Sequence, residues 1–316
     1  MLSSNRIFGH IACLVVGSAL LAACASPGRS PGIGSAMPSV APVPSATPSS
    51  AASASSAPIA VPTDDLLFEG KLLVCSDLPY PPQEFFDEQG NPVGSDIEIA
   101  QELARRLGLE AQIVNSVFDT ILEAQASGKC DIVISAQTIN DERLALVDMV
   151  PYFQAGATFV VQHGNPADIH TELDLCGRRI AAQSGTVLAQ QIEGKGDYKD
   201  HGLSDQCASA DKEVITLVEF VKDDEAIAAL ISGDVDAYFV DSPAAGYHVV
   251  QNISQLELSG LTLDVVEQGI SIPKDYPALR DAITEALHAM MSDGTYLAIL
   301  ARYGVQDGSV APPAGL

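Results

Sequence analysis

The chain has 316 residues, with 16 Lys and Arg against 41 Asp and Glu, so its formal net charge at pH 7 is -25. Such an acidic surface has little positive charge with which to displace counterions from phosphates, which excludes nucleic acid as a partner. A chain of this length can form two lobes of ordinary size, and a hydrophobic content of 47% is enough to fill their cores.

The N-terminal residues have the pattern of a lipoprotein signal. Arg6 precedes an apolar run, Ile11 to Leu21, that is too short to span a bilayer and has the form of a signal-peptide core. The run ends in Leu21-Ala22-Ala23-Cys24, which is similar to the lipobox of bacterial lipoproteins. We therefore expect residues 1–23 to be removed and Cys24 to carry the acyl chains that anchor the protein to the cell membrane. An ordinary secretory signal with an incidental cysteine is the alternative.

Residues 24–65 are predicted to be a disordered tether. They are mostly Ser, Ala, Pro and Gly, with almost no charge and no amphipathic period, so they cannot bury enough surface to offset the entropy lost on ordering. At about 3 Å per residue, an extended Pro-rich segment of this length reaches on the order of 100 Å. No second hydrophobic stretch of spanning length follows, so we expect the remainder to be soluble and extracytoplasmic.

Strands and helices then alternate in a pattern that predicts a parallel sheet. The first series is a βαβαβ unit. Its predicted elements are the strand Lys71 to Asp77, the helix from Ser95 to Gly108, the strand Glu110 to Val114, the helix Asp119 to Ser127 and the strand Asp131 to Ser135.

A connecting strand, Thr158 to Gln162, leads to a second α/β series. Two helical stretches, Tyr276 to Ser292 and Thr295 to Tyr303, close the chain and must pack on an existing lobe because no strands follow them. The second series comprises the strand Arg179 to Gln183, a helix from about Thr186, the strand Val214 to Val218, the helix Asp223 to Ser232, the strand Ala237 to Asp241 and further apolar runs at Leu261 to Val266 and Ile270 to Ile272.

One short pattern occurs twice, as a helix end, a glycine stop and a buried strand. The first copy runs from Ala126 to Ile134 and the second from Ile231 to Phe239, and each glycine suits the left-handed position that ends a helix. Arg143 follows the first strand and Asp241 ends the second. Ligands of open α/β sheets bind at the carboxyl ends of strands, so two such sheets facing each other would present a cation and an anion across a cleft. This pair is complementary to a zwitterion such as a free amino acid.

Four cysteines remain after Cys13 and Cys24, an even number that predicts two disulfides in an exported protein. Cys75 and Cys130 lie in strands of the first series, where consecutive strands commonly neighbour each other, and we predict that they pair. Cys176 and Cys207 both fall in the second series and form the other predicted pair. Pairing within lobes is preferred because a bridge between lobes would lock the cleft.

From about Lys71 to Tyr303 the chain resembles the family 3 extracellular solute-binding proteins, which have the type II periplasmic-binding fold and serve polar amino-acid ABC importers. Each motif is weak alone, but together they cover the globular part in the family's order. The motifs are Asp77-Leu78-Pro79-Tyr80-Pro81-Pro82, the stretch Gly90 to Ala100, Thr138-Ile139-Asn140-Asp141-Glu142-Arg143, Gln183-Ser184-Gly185-Thr186 and Asp293-Gly294-Thr295-Tyr296.

The resemblance implies two α/β lobes joined by a two-strand hinge, with closure around the ligand as the expected motion. It places lobe 1 at residues 66–158 plus 270–308 and lobe 2 at residues 159–269, which leaves a disordered tail at 309–316. It also implies a monomer that carries an amino acid to a membrane permease, with no metal and no organic cofactor.

The resemblance also assigns the groups that hold the ligand. Arg143 of the Thr-x-x-x-x-Arg motif is expected to bind the α-carboxylate, which a guanidinium fork matches geometrically. Thr138 and Thr186, the latter after Gly185 at a helix start, are expected to supply further donors. Asp241 is expected to accept the α-ammonium. A surface charge for Arg143, a helix cap for Thr186 and an N-terminal helix charge for Asp241 are the alternatives.

Three further residues are expected to surround the ligand's side chain. Tyr80 and Phe118 match an aromatic pair of the family, although core packing is the alternative for Phe118. Asp77 corresponds to an acid near the ligand's side chain and suits a cationic or amide-bearing group, with a strand-end residue as the alternative.

Departures from the family pattern leave the identity of the amino acid open. Gln83 and Ser95 stand where relatives commonly have Phe, and Ala136 lacks a hydroxyl, so the pocket is expected to be more polar or roomier than usual. Gln137, Gln183 and Ser184 are expected to add hydrogen bonds to a polar side chain.

Two other functions compete with import. Some proteins of this fold act as dehydratases on cyclic acids such as arogenate, but the complete clamp for carboxylate and ammonium favours binding here, and no Gly-x-Ser-x-Gly elbow is present. The six histidines show no metal-ligand spacing and there is no Cys-x-x-Cys. A ligand sensor is the third possibility, which the lack of an attached signalling domain weakens.

Overall fold

The computed structural model describes residues 58–311. The predictions for the signal segment, the lipidated Cys24, residues 24–57 of the tether and the last five residues lie outside this range. Residues 58–65 and 309–311, which we predict to be disordered, make ordered contacts instead, because Ile59 packs against an apolar core and the Val310 N–H donates to the Tyr296 hydroxyl at 3.1 Å. Within it, none of the helices combines the length and the apolar character that crossing a membrane requires.

Ten strands and nine α-helices make up the described part of the chain. The strands are β1 (Lys71–Ser76), β2 (Phe85–Phe86), β3 (Pro92–Val93), β4 (Glu110–Asn115), β5 (Ile132–Val133), β6 (Val147–Gln162), β7 (Arg179–Gln183), β8 (Thr216–Phe220), β9 (Ala237–Asp241) and β10 (Leu256–Pro273). The helices are α1 (Ser95–Arg106), α2 (Ile121–Ala126), α3 (Asp141–Leu146), α4 (Val187–Glu193), α5 (Leu203–Ser209), α6 (Asp223–Ser232), α7 (Ser242–Gln251), α8 (Pro277–Asp293) and α9 (Thr295–Arg302).

A single sheet of eight strands runs through both lobes in the order β4-β1-β5-β10-β6-β9-β7-β8. In the first lobe β1 pairs in parallel with β4 and β5, and in the second β7 pairs in parallel with β8 and β9. The long strands β6 and β10 pair with each other antiparallel between these two groups. This is the predicted architecture of two α/β lobes joined by two crossing strands.

Each lobe has its own apolar core. In the first, Leu72 and Val74 of β1 pack with Leu103 of α1, and the closing helix α8 adds Ile283 and Leu287 to the same cluster. The prediction that the last helices pack on an existing lobe is therefore confirmed. In the second lobe the rings of Phe159 and Phe239 stack with centroids 4.3 Å apart within a cluster that includes α4 and α5.

Both predicted disulfides are present. Cys75 and Cys130 are bonded with 5.7 Å between their Cα atoms, and Cys176 and Cys207 with 5.5 Å. Each bridge lies within one lobe, so neither restricts the cleft. The two glycines predicted to end helices, Gly128 and Gly233, have φ angles of 79° and 82°.

Some predicted elements have different bounds. β6 begins at Val147 instead of Thr158. The prediction missed the first half of this strand because Asp148, Pro151 and Gln154 interrupt its apolar pattern, although its pairing with β10 continues through them. β8 is shifted two residues towards the C-terminus, and Val214, its predicted first residue, is half exposed. The short helices α3 and α5 were not predicted, since six or seven residues give too little periodicity to detect.

Candidate functional site

A cavity lies between the lobes at the carboxyl ends of β1, β5, β7 and β9. It encloses about 370 Å³ of space not filled by atoms, open solvent at its mouth included. The lining comes from both lobes and consists of Asp77, Tyr80, Glu84, Phe118, Ser135, Ala136, Thr138, Arg143, Gln183, Thr186, Val187, Leu188 and Asp241.

The cavity brings together most of the residues singled out in the sequence, namely Asp77, Tyr80, Phe118, Ala136, Thr138, Arg143, Thr186 and Asp241. Three candidates are not part of the lining. The Gln137 side chain accepts a hydrogen bond from Ser271 Oγ at 2.8 Å, and Ser184 Oγ donates to the Phe220 carbonyl at 2.9 Å. Gly185 contributes a carbonyl that contacts Arg143.

Arg143 is a buried cation held at the first turn of α3. Its backbone N–H donates to the Asn140 side chain at 2.9 Å, which caps the helix and fixes where the side chain begins. The guanidinium donates to the carbonyls of Thr138 at 2.7 Å and, across the cleft, Gly185 at 3.2 Å. It lies over the Phe118 ring, 5.4 Å from its centroid. Burial lowers the pKa of Arg143 to about 10, which leaves it charged at neutral pH.

No carboxylate within the described residues forms an ion pair with Arg143. A buried guanidinium that is hydrogen-bonded only to carbonyls is unusual, because buried charges are normally paired. Two carbonyls also leave part of its five-donor fork unused. The group is therefore equipped to bind an anion that enters the cavity.

Asp241 provides the opposite charge from the second lobe. It ends β9 directly before α7, and its Oδ2 accepts hydrogen bonds from Tyr80 at 2.9 Å and Gln268 at 3.1 Å. Burial raises the pKa of Asp241 to about 6, although these two hydrogen bonds and the charge of Arg143 act in the other direction. The Oδ1 atom is left free, within the described part of the chain, to accept from a cation.

Asp77 is engaged by two side chains from the opposite lobe. Gln183 Nε2 donates to its Oδ2 at 2.5 Å, and Lys222 Nζ donates to its Oδ1. Burial raises the pKa of Asp77, while Lys222 and Gln183 partly offset this effect. Sequence reasoning ranked Gln183 low and missed Lys222, because nothing in the local pattern tells which way a long side chain at a helix start will point.

Glu84 lines the first-lobe side of the cavity, and a second acid, Asp96, lies next to it. Ser135 Oγ donates to Glu84 at 2.7 Å, and the Tyr152 hydroxyl donates to Asp96 at 2.5 Å. Burial and the charge of Asp96 raise the pKa of Glu84 well above its ordinary value, whereas the pKa of Asp96 rises to about 6. Burial therefore favours the protonated form of this pair.

The departures from the family pattern have a different effect from the one expected. Gln83 and Ser95 are completely buried, and neither lines the cavity, so they do not make it roomier or more polar. Ala136 is the member of this group that reaches the lining.

Among known proteins, the family model for bacterial extracellular solute-binding proteins, family 3, matches residues 72–306. The arginine-binding protein ArgT of Corynebacterium glutamicum is 29% identical over 252 residues, which cover 79% of each chain. The L-cystine-binding protein TcyJ of Escherichia coli K12 is 30% identical over 235 residues, 73% of this chain and 81% of its own.

Solved structures agree with this assignment. An ancestral arginine-binding protein bound to arginine superposes with a TM-score of 0.66 at 34% identity, covering 74% of this chain and 98% of its own. AncCDT-1, an ancestral amino acid-binding protein described as a precursor of cyclohexadienyl dehydratase, gives 0.62 at 30% identity, with 74% and 95% covered. The family model matches most of the chain, and the solved relatives have the same two-lobed fold. This protein therefore belongs to the bacterial extracellular solute-binding proteins, family 3.

Proposed function

We propose that this protein is the extracytoplasmic substrate-binding component of an ABC importer and that its ligand is a free amino acid. The observation that carries the proposal is the buried guanidinium of Arg143, which has no anionic partner in residues 58–311 and faces the same cavity as the carboxylate of Asp241. The two charges come from opposite lobes. An α-amino acid supplies the carboxylate and the ammonium that these groups need.

The hydrogen-bond pattern supports this role. Arg143 has donors left for an α-carboxylate after its two carbonyl contacts, and Thr186 caps the N-terminus of α4, where N–H groups point towards an anion. Asp241 Oδ1 remains to accept from the α-ammonium while Tyr80 and Gln268 hold Oδ2. Phe118 and Tyr80 then contact the ligand's side chain.

The relatives support binding over catalysis. ArgT and TcyJ are named as amino-acid-binding proteins, and the ancestral arginine-binding protein was solved with its amino acid. No observation on the described residues favours a dehydratase or a sensor over an importer subunit. The protein binds its ligand as a monomer, delivers it to a membrane permease, and requires no metal or cofactor.

The lipid anchor is part of the same proposal. Acyl chains on Cys24, followed by a tether of residues 25–57, hold the lobes near the permease. Metabolic labelling with a clickable fatty acid tests it, with Cys24→Ser as the control. Label on the wild type and none on the variant is expected, and an unlabelled wild type contradicts the anchor.

A thermal-shift screen of the full-length protein against the twenty amino acids tests the binding function, because a ligand of the folded state raises the melting temperature by mass action. Isothermal titration calorimetry then compares the wild type with Arg143→Met, in which every amino acid is expected to bind at least about 30-fold more weakly, since a charge partner is lost. Putrescine serves as the control, because it has ammonium groups and no carboxylate. If no amino acid binds, or if Arg143→Met binds normally, the proposal is wrong.

A further inference from the structure

Asp77, the acid expected to contact the ligand's side chain, is already paired with a cation of the protein itself. Asp77 is 1% exposed, and each of its oxygens accepts a hydrogen bond from the second lobe, one from Lys222 and one from Gln183. Within residues 58–311, Asp77 is the acid with which Lys222 forms an ion pair. The end of the cavity formed by Asp77 therefore has a carboxylate and an ammonium whose charges cancel.

Lys222 is fixed for this contact at the start of α6. Its backbone N–H donates to the Glu225 carboxylate at 3.3 Å, and its Nζ also donates to the Leu78 carbonyl at 3.0 Å. The neighbouring Asp223 does not compete for the ammonium, because its oxygens accept from Tyr238 and contact His248, both at 2.8 Å.

We infer that Lys222 determines the specificity of this site, by making the Asp77 end of the cavity select an amino acid with a neutral polar side chain, such as a carboxamide, over a cationic one. The inference rests on the proposed function. It also separates this protein from its relatives whose names refer to arginine.

The argument follows from the lone pairs and the charge at Asp77. A carboxylate has about four acceptor sites and two are occupied here, so a neutral N–H or O–H of a ligand can still be accommodated. A guanidinium or ammonium at the same place would meet the Lys222 ammonium behind a carboxylate that is already paired. Two positive charges within a few ångströms of each other repel strongly, because the effective dielectric constant of a protein interior is lower than that of water. A cationic ligand must therefore displace Lys222, while a carboxamide need not.

Lys222 does not line the cavity, so it acts through Asp77 and not by touching the ligand. Its removal leaves Asp77 as an unpaired acid facing the cavity, which a cationic side chain would neutralise. A purely structural role for Lys222 would weaken the binding of all amino acids together. The specificity role instead changes the ratio between neutral and cationic ligands.

L-Citrulline and L-arginine make a sharp test, because they are nearly identical in shape and differ in the charge of the terminal group. Isothermal titration calorimetry on the full-length protein would measure both, together with L-glutamine as a smaller neutral ligand. The wild type is expected to prefer the better of the two neutral ligands over arginine by at least about tenfold. Lys222→Met is expected to lower that ratio by at least about tenfold.

Two control variants complete the experiment. Lys222→Arg keeps the charge and should keep the wild-type ratio, and Lys212→Met removes an exposed lysine that donates to the Leu173 carbonyl and should change nothing. The inference is overturned if the wild type binds arginine as tightly as the neutral ligands, or if Lys222→Met leaves the ratio unchanged. Either result leaves the proposed function standing as long as binding of the preferred amino acid requires Arg143, whereas failure of every amino acid to bind refutes both.

Discussion

Replacement of Asp241 by Asn is the most direct test of the cavity's anionic pole. The substitution preserves the shape of the side chain and removes its charge. The amide oxygen can still accept from Tyr80 and Gln268, which in the wild type both donate to Oδ2. The amide nitrogen then takes the place of Oδ1, so that a donor faces the donor hydrogens of the ligand's α-ammonium.

The expected loss of affinity is large. Asp241 is 8% exposed, and truncation of one partner in a buried, hydrogen-bonded charge pair costs about 2–5 kcal/mol. At about 1.4 kcal/mol for each tenfold change, the dissociation constant should rise by about 30-fold to 4,000-fold.

The fold should not suffer from the same substitution. Burial raises the pKa of Asp241 from 3.8 to about 6, so the folded state holds the ionised form less favourably than the unfolded state does. At pH 7 the carboxylate therefore destabilises the fold by up to about 3 kcal/mol, at 1.36 kcal/mol per pKa unit. Asp241→Asn removes this effect, and its melting temperature without ligand should equal or exceed that of the wild type.

Calorimetric titration with the best amino acid from the screen measures the affinity, and thermal unfolding without ligand measures the stability. Asp234→Asn is the matched control, because it makes the same change of charge at an exposed position of the same lobe. A loss of affinity below about tenfold in Asp241→Asn would refute its assignment to the ammonium. A drop in melting temperature that accompanies weaker binding would instead show that the charge supports the fold.

Three further predictions concern pH and the disulfides. With the pKa of Asp241 at about 6 in the free protein, the dissociation constant should rise by about tenfold for each pH unit below 6, and a titration series with no such slope would contradict the charge pairing. Burial and the charge of Asp96 raise the pKa of Glu84, so the stability present below the unfolded-state pKa is lost as the pH rises towards the folded-state pKa; Glu84→Gln should raise the free energy of unfolding at pH 7 and flatten its pH profile, and an unchanged profile in urea denaturation would disprove this. The bridge between Cys176 and Cys207 closes a loop of 31 residues, so replacing both by Ala should lower the free energy of unfolding by about 4 kcal/mol, and a loss below about 1 kcal/mol would argue against the loop-entropy explanation.

The fold was predictable where a single local signal determined each element. α6 and β9 have the predicted bounds because a glycine with φ of 82° separates a periodic apolar helix from a short apolar strand. β6 was underestimated because Pro151 and the polar residues around it hide a strand whose hydrogen bonds come from β10, more than a hundred residues later. Pairing with a distant strand leaves no mark on the local pattern.

The residues of the candidate site were likewise predictable only in part. Arg143 and Asp241 were found because Arg143 comes after the buried strand β5 and Asp241 ends the buried strand β9, and the ends of these strands converge on one cavity. Gln137 and Ser184 sit at equivalent positions, but their side chains turn to Ser271 and to the Phe220 carbonyl. Which way such a side chain turns depends on partners brought together by the tertiary fold.

The ladder between β6 and β10 is not uniform. Its register shifts between Leu258 and Thr262, between Leu263 and Val266, and between Gln268 and Gly269. Bulges of this kind bend strands and increase their local twist, and we therefore expect any change in the angle between the lobes to be concentrated at these positions. A membrane partner that contacts both lobes at once would bind differently at different angles between them. A partner that contacts one lobe would meet the same surface whether the cleft is filled or empty.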